Sequence, residues 1–214
     1  MNGASETALF FLPCLRADPA DTRRGIEREK KMKRIAFATA AATLIAGSAF
    51  AQGNLPMVGG AAMYPDRTIV ENAVNSADHE TLVAAVTQAG LVETLSGEGP
   101  FTVFAPTDAA FDRIKEDDLA TLMSDPYKAQ LTKILTCHVV AANAMSDAIA
   151  GMIADDGGMH PVETVGGCTL QAMMDGDEIT LADENGREAT VTIADVAQSN
   201  GVIHVIDRVL LPAQ

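Results

Sequence analysis

The chain predicts an α+β domain, a compact β-sandwich with helices packed on one side and the helices mainly in its N-terminal half. Three observations carry that expectation. From Ile69 to Leu135 apolar residues recur mostly at helical spacing, interrupted by a single strand-like run at Phe101–Ala105. From His138 onward the apolar period becomes two, with tight turns at Gly166-Gly167, Asp175-Gly176 and Asn185-Gly186. No internal repeat appears, and Gln52–Gln214 is 163 residues, enough for one core.

The front of the chain has a different character. Residues 1–31 show no periodicity and carry the mixed-charge run TRRGIEREKK, so they form either a disordered extension or a start assigned too early. Met32 then opens a signal-peptide pattern over 32–51. Lys33 and Arg34 precede an apolar run from Ile35 to Ile45, and Ala49 and Ala51 supply small residues for cleavage before Gln52. The run is shorter than the roughly 20 residues a membrane span needs. Ser48 stands where a lipid-modified exported protein would need cysteine. Gln52–Asp66 is rich in Gly, Pro and small residues, which predicts a flexible arm, with the domain proper over 67–214.

Within the domain, Ile69, Val70, Ala73 and Val74 predict a first helix. Leu82, Val83, Val86 and Ala89 predict a second, closed by Gly90. Leu91, Val92 and Leu95 continue for another turn. Phe101–Ala105 is apolar on both faces and suits a central, covered strand that Pro106 ends, after which Thr107 or Asp108 caps a short helix carrying Phe111 and Ile114 inward. Leu119, Leu122 and Met123 mark a further helix, and Pro126 begins one whose Leu131, Ile134 and Leu135 face the core. Ile179, Leu181, Val191 and Ile193 alternate with polar or small residues, as in sheets with one wet face. Val202–Leu211 is apolar on both faces and predicts a central closing strand.

Two of these stretches carry a resemblance. TVFAPTDAAF resembles the first signature block of the fasciclin domain family, through Thr102, Phe104, Pro106, Thr107, Asp108 and Phe111. NGVIHVIDRVLLP resembles the second, through Asn200, Gly201, His204, Asp207 and Pro212. Between them, His138 in CHVV occupies the place of the histidine in that family's Tyr-His block, with Cys137 where the tyrosine usually stands. The resemblance covers about Ile69 to Pro212. It implies a fasciclin-type fold and an extracellular interaction or adhesion role, and it brings no catalytic residue to carry over.

Charge narrows the partners. Gln52–Gln214 holds 7 basic residues against 24 acidic ones, a net −17, which repels phosphate backbones and anionic lipid. Nucleic acid and stable membrane insertion after cleavage are not expected; a protein or a cell-envelope or extracellular component is the partner that the resemblance implies. Periplasmic or secreted localisation follows from the leader.

Residue chemistry narrows the function further. Cys137 and Cys168 are the cysteines left once Cys14 is lost with the leader, and an exported pair invites a disulfide. Cys137 and His138, read as adjacent strand residues, point to opposite faces and make a poor nucleophile and base. His79, His138, His160 and His204 lack zinc spacing. His138 and His204 are expected to be hydrogen-bonded structural residues, and Asp207 to need a backbone amide, Arg208 or a histidine as partner. The Asp155-Asp156 and Asp175–Glu178 clusters read as solvated turns, Glu184 as a surface carboxylate, and Met145, Met152, Met159, Met173 and Met174 as packing rather than a copper surface. No cofactor, metal or catalytic residue is expected. The expected function is a non-catalytic exported interaction module. The alternatives from other classes are a carrier of a small ligand or metal and, less favoured, a hydrolase. A deep apolar pocket with convergent polar groups would favour the carrier.

Overall fold

The computed structural model describes residues 55–213, so the extension, the leader and the expected start at Gln52 lie outside it. Within that span the ordered fold begins before Asp66. Met57–Val58 (β1) and Ala61–Ala62 (β2) pair antiparallel around Gly59 and Gly60, whose φ values of 55° and 75° suit the reversal. Val58 and Met63 are buried and join Val196 and Ile203 in the core, so residues 55–66 are a docked hairpin, not a flexible arm. Two-residue strands are too short to show a period, which is why the stretch reads as a linker.

The helical layer follows. Thr68 and Glu71 form a reciprocal capping box at the start of α1 (Ile69–Ala73), satisfying amides that a five-residue helix would otherwise leave open. α2 (Glu80–Ala89) closes at Gly90, which takes the left-handed φ of 76°, and α3 (Val92–Leu95) adds one turn. β3 (Phe101–Pro106) leads into α4 (Asp108–Phe111), capped by Thr107, and then come α5 (Glu116–Leu122) and α6 (Lys128–Thr136). Cys137 and His138 lie in the turn between α6 and β4 (Val139–Val140), not within a strand as expected.

A further helix, α7 (Ser146–Asp155), interrupts the β half. Its buried residues are Ile149 and Ile153, one turn apart, a stripe too thin to stand out from the strand signals around it. Then come β5 (Met159–Glu163), β6 (Thr169–Asp175), β7 (Glu178–Ala182), β8 (Glu188–Gln198) and β9 (Gly201–Ile206). Gly167, Gly176 and Gly186 hold positive φ at the three expected turns. The closing strand stops at Ile206, earlier than the apolar pattern implied.

β3 to β9 form one mixed sheet in the order β4-β3-β9-β8-β7-β6-β5, which curls into a near-barrel. β3 and β9 are parallel in register from Phe101↔Gly201 to Pro106↔Ile206; the other neighbours are antiparallel. β8 makes the corner. Its first residues pair with β7 and its later ones with β9, across register shifts between Val191 and Ile193 and between Ile193 and Val196. The two ends of the sheet meet where Val165 N–H donates to Val139 O (2.8 Å) and Gly166 N–H to Thr136 O (3.0 Å). The Cys137–Cys168 disulfide crosses the same seam, with Cα atoms 5.4 Å apart. A side chain at Gly166 would collide with the Cys137 amide, so the close approach requires glycine there. One apolar core lies between the helices and β3/β9; a second, with Phe104, Leu170, Leu181 and Ile206, lies inside the curl under α7.

Candidate functional site

The polar residues of the signature blocks are distributed over three places that each fasten a loop. At one end of β9, Asn200 accepts from Ile69 N–H (3.0 Å) and donates through Nδ2 to Leu95 O (2.8 Å) and Gly97 O (3.0 Å). It thereby ties α1 and α3 to the sheet. Gly201 beside it lies against β3 so closely that a Cβ would overlap the Phe101 carbonyl.

In the middle, Thr102 and His204 hold the loop before α7. Thr102 Oγ1 donates to Ala142 O (2.7 Å) and accepts from Ala144 N–H (2.9 Å), and His204 Nε2 donates to Ala144 O (2.8 Å). The His204 ring stacks on Phe104 with centroids 5.7 Å apart, and its Nδ1 accepts from Asp195 N–H (3.3 Å). Asp195, at φ 60° in the irregular part of β8, caps α7 by accepting from Ser146 N–H (2.7 Å) and Ser146 Oγ. Ser146, Asp195 and His204 are the residue types of a hydrolase triad in a different wiring. The serine meets the carboxylate, and the histidine meets the aspartate's backbone amide rather than its side chain.

At the other end, His138 is buried with both ring nitrogens engaged. Nδ1–H donates to Ile134 O (2.8 Å) and Nε2 accepts from Leu210 N–H (2.9 Å), which assigns the neutral tautomer. Burial pushes its pKa down to about 4. Burial also lowers His204 and His79, the latter paired through Nδ1 with Ser76 Oγ at 2.8 Å. Asp207 takes Thr190 N–H (2.8 Å) and Arg113 (3.3 Å), rather than Arg208 or a histidine. Asp183 and Asn185 fasten the C-terminal segment, Asp183 through Leu211 N–H (3.0 Å) and Asn185 Nδ2 through the carbonyls of Leu211 and Pro212 (3.0 Å each). Glu184 is an exposed carboxylate, as expected, but it also fastens backbone. Its carboxylate accepts from Thr169 N–H (3.2 Å) and Ala213 N–H (2.6 Å), and those amides hold it below the usual carboxylate range.

In the first block, Thr107 caps α4, while Asp108 serves another helix. Its oxygens accept from Glu80 N–H (3.2 Å) and Thr81 N–H (2.8 Å), capping α2 from across the fold. Pro106 ends β3 and Phe111 is buried. The structure therefore does not bring the block residues into one cluster. Asp183 and Asp195 have no signal in the sequence beyond their place beside turns and bulges.

Two of the concavities among the described residues contrast in chemistry. A cavity of about 140 Å³ lies between α1, α2 and α3 on one side and β3 on the other, lined by Val70, Val83, Val86, Leu95 and Val103 together with Phe104 and His138. A shallower groove of about 800 Å³ between α5, α6 and the C-terminal segment holds Arg113, Lys115, Lys133 and Arg187. Its charge is offset locally by the Arg113–Asp207 pair at 3.3 Å and the Arg187–Asp183 pair at 3.5 Å. Among the described residues, no group of three or more His, Cys, Asp or Glu side chains is placed to hold a metal ion, and no helix is long and apolar enough to cross a membrane.

Comparison with known proteins places this architecture. The Fasciclin domain family matches over residues 77–212. Protein sll1483 of Synechocystis sp. is 42% identical over 154 residues, covering 68% of this chain and 73% of that protein. Human periostin is 34% identical over 135 residues, which cover 63% of this chain and 15% of periostin. A solved FAS1 domain pair from the insect cell adhesion molecule Fasciclin I shares the fold, with a TM-score of 0.62 at 18% identity, over 69% of this chain and 51% of that one. With the sheet order, the signature blocks and more than half its length in agreement, the chain belongs to the fasciclin domain family.

Proposed function

We propose that this protein is a non-catalytic, exported interaction or adhesion module that binds protein, envelope or matrix components outside the cytoplasm. The observation that carries the reading is where the polar side chains go. Thr102, His138, Asn200, His204 and Asp207 all hold backbone or charged groups of the domain itself, while Met57 and Tyr64 of the N-terminal hairpin region and Val74 just after α1 remain exposed. Exposed large apolar side chains near one another in the chain are the raw material of a protein contact. Membership of a family that includes part of an insect cell adhesion molecule supports the same reading. The net charge of −17 over Gln52–Gln214, with Arg113 and Arg187 of the groove already paired to carboxylates, speaks against nucleic acid.

Two measurements test it. Immobilised domain should retain specific components of the native envelope or matrix, and Tyr64→Ala with Met57→Ser should reduce that retention while leaving the melting temperature within about a degree. His204→Ala should behave in the opposite sense. It loses about 1 to 3 kcal/mol by stranding Ala144 O and Asp195 N–H, yet it retains the same components at temperatures where it is folded. A His204→Ala protein that melts like the parent and loses its ligand would overturn the structural role given to this histidine. For export, material isolated outside the cytoplasm should begin at Gln52; intact residues before Lys33 on such material would defeat the leader assignment.

A further inference from the structure

We propose that the cavity between α1, α2 and β3 is a binding site for a compact, uncharged apolar molecule about the size of benzene. The argument rests on volume, on chemistry and on access, and it stands whether or not the domain also binds a protein partner.

The volume is about 140 Å³. Apolar cavities of about 150 Å³ stay dry and take up benzene or xenon, because a water inside them finds no hydrogen-bond partner. The walls here meet that condition. Valine, isoleucine and leucine side chains of α1, α2, α3 and β3 make up most of the surface, and the two polar side chains that reach it are already engaged. Thr87 Oγ1 donates to Val83 O of its own helix (2.8 Å). His138 has Nδ1 on Ile134 O and Nε2 on Leu210 N–H, so it offers only ring carbon to an occupant. A charged or hydrogen-bonding ligand would lose its hydration and gain nothing in return.

Access comes from the α1–α2 side. Val74 is 55% exposed, and Val70, Ala73 and Val83 are half-buried, so the cavity meets solvent along a rim of small and branched side chains. The site also has a reason to persist. α1 is held at its start by the Thr68–Glu71 capping box and by Asn200 on Ile69 N–H, and α2 by Asp108 on Glu80 and Thr81, so both walls are pinned to the fold from outside the cavity. Neither helix needs the apolar gap filled in order to stay in place.

The test uses the full chain with benzene as the probe and phenol and benzoate as controls. Benzene at about ten times its Kd should raise the melting temperature by about 3 to 5 °C, through preferential binding to the folded state. Phenol and benzoate at equal concentration should raise it by less than a third of that, because each brings a polar group with no partner. Nuclear Overhauser contacts from bound benzene should fall on the methyl groups of Val83, Val86 and Leu95. Val83→Phe, which fills the cavity from α2, should abolish the shift; Val70→Phe fills it from α1 and serves if the first variant does not fold. No benzene shift in the parent overturns the proposal. Equal shifts with benzoate overturn the ligand class, and contacts elsewhere, or an undiminished shift in a folded filled variant, overturn the location.

Discussion

Replacing the disulfide by the Cys137→Ala and Cys168→Ala pair is expected to lower stability by about 3 to 4 kcal/mol and the melting temperature by about 10 °C. The bond joins residues 31 apart in sequence, and opening that loop returns conformational freedom to the unfolded chain. Its place in the native state makes the loss matter. The bond crosses the seam where the β4 end of the sheet meets the turn after β5, beside the Val165–Val139 and Gly166–Thr136 hydrogen bonds. Without it the seam keeps those two hydrogen bonds and the apolar core inside the curl, but no covalent tie. Melting curves with and without reductant, together with peptide mapping under non-reducing conditions, check this. Free thiols alkylated at both positions in folded protein, or a double variant melting like the parent, would sink it.

Acidification is the second large effect. The ordinary pKa of histidine is about 6.5 in the unfolded chain, whereas burial brings His138 down to about 4 in the folded domain. A depressed histidine pKa means that the folded state resists a proton which the unfolded state accepts. The stabilisation is therefore fully present above about pH 6.5 and is lost as pH falls toward 4, reaching about 3 kcal/mol at the lower end. The cause is visible in the hydrogen bonds. Nε2 must stay unprotonated to accept from Leu210 N–H, and a proton there would repel the amide that anchors the C-terminal segment. His79 and His204, lowered by burial as well, act in the same direction. Glu71 and Glu184, held below the usual carboxylate range by backbone amides, add their loss only below about pH 4.5. The interval from 6.5 to 4.5 thus belongs to the histidines. Urea midpoints measured across it should fall steadily for the parent and much less for His138→Gln. A flat parent profile would contradict the buried neutral state assigned to His138.

Much of the fold is legible because its signals are local. The Thr107 cap, the left-handed Gly90, the glycines at the hairpin turns and the apolar runs of β3 and β9 are each decided by residues within a few positions of one another. The signature blocks add order and spacing, and hence the family. Local reasoning misplaces elements whose signal is thin. The β1–β2 hairpin has four strand residues among glycines, and α7 shows only Ile149 and Ile153 on its buried face. A two-point pattern cannot separate one period from another.

The sequence by itself determined the class of the domain, its family and the order of most elements, and it made Cys137 and Cys168 candidates for a disulfide that the structure contains. Tertiary structure alone decided which helix Asp108 caps, that Asp195 caps α7, that Asp207 meets Arg113, and that β3 lies parallel to β9 rather than beside a sequence neighbour. It also decided that a gap of about 140 Å³ lies between α1, α2 and β3. The physical reason is common to all of these. A carboxylate satisfies whichever amide the fold brings within about 3 Å, and a void is what remains between surfaces whose separation is set by contacts made elsewhere. Neither is a property of any stretch of chain.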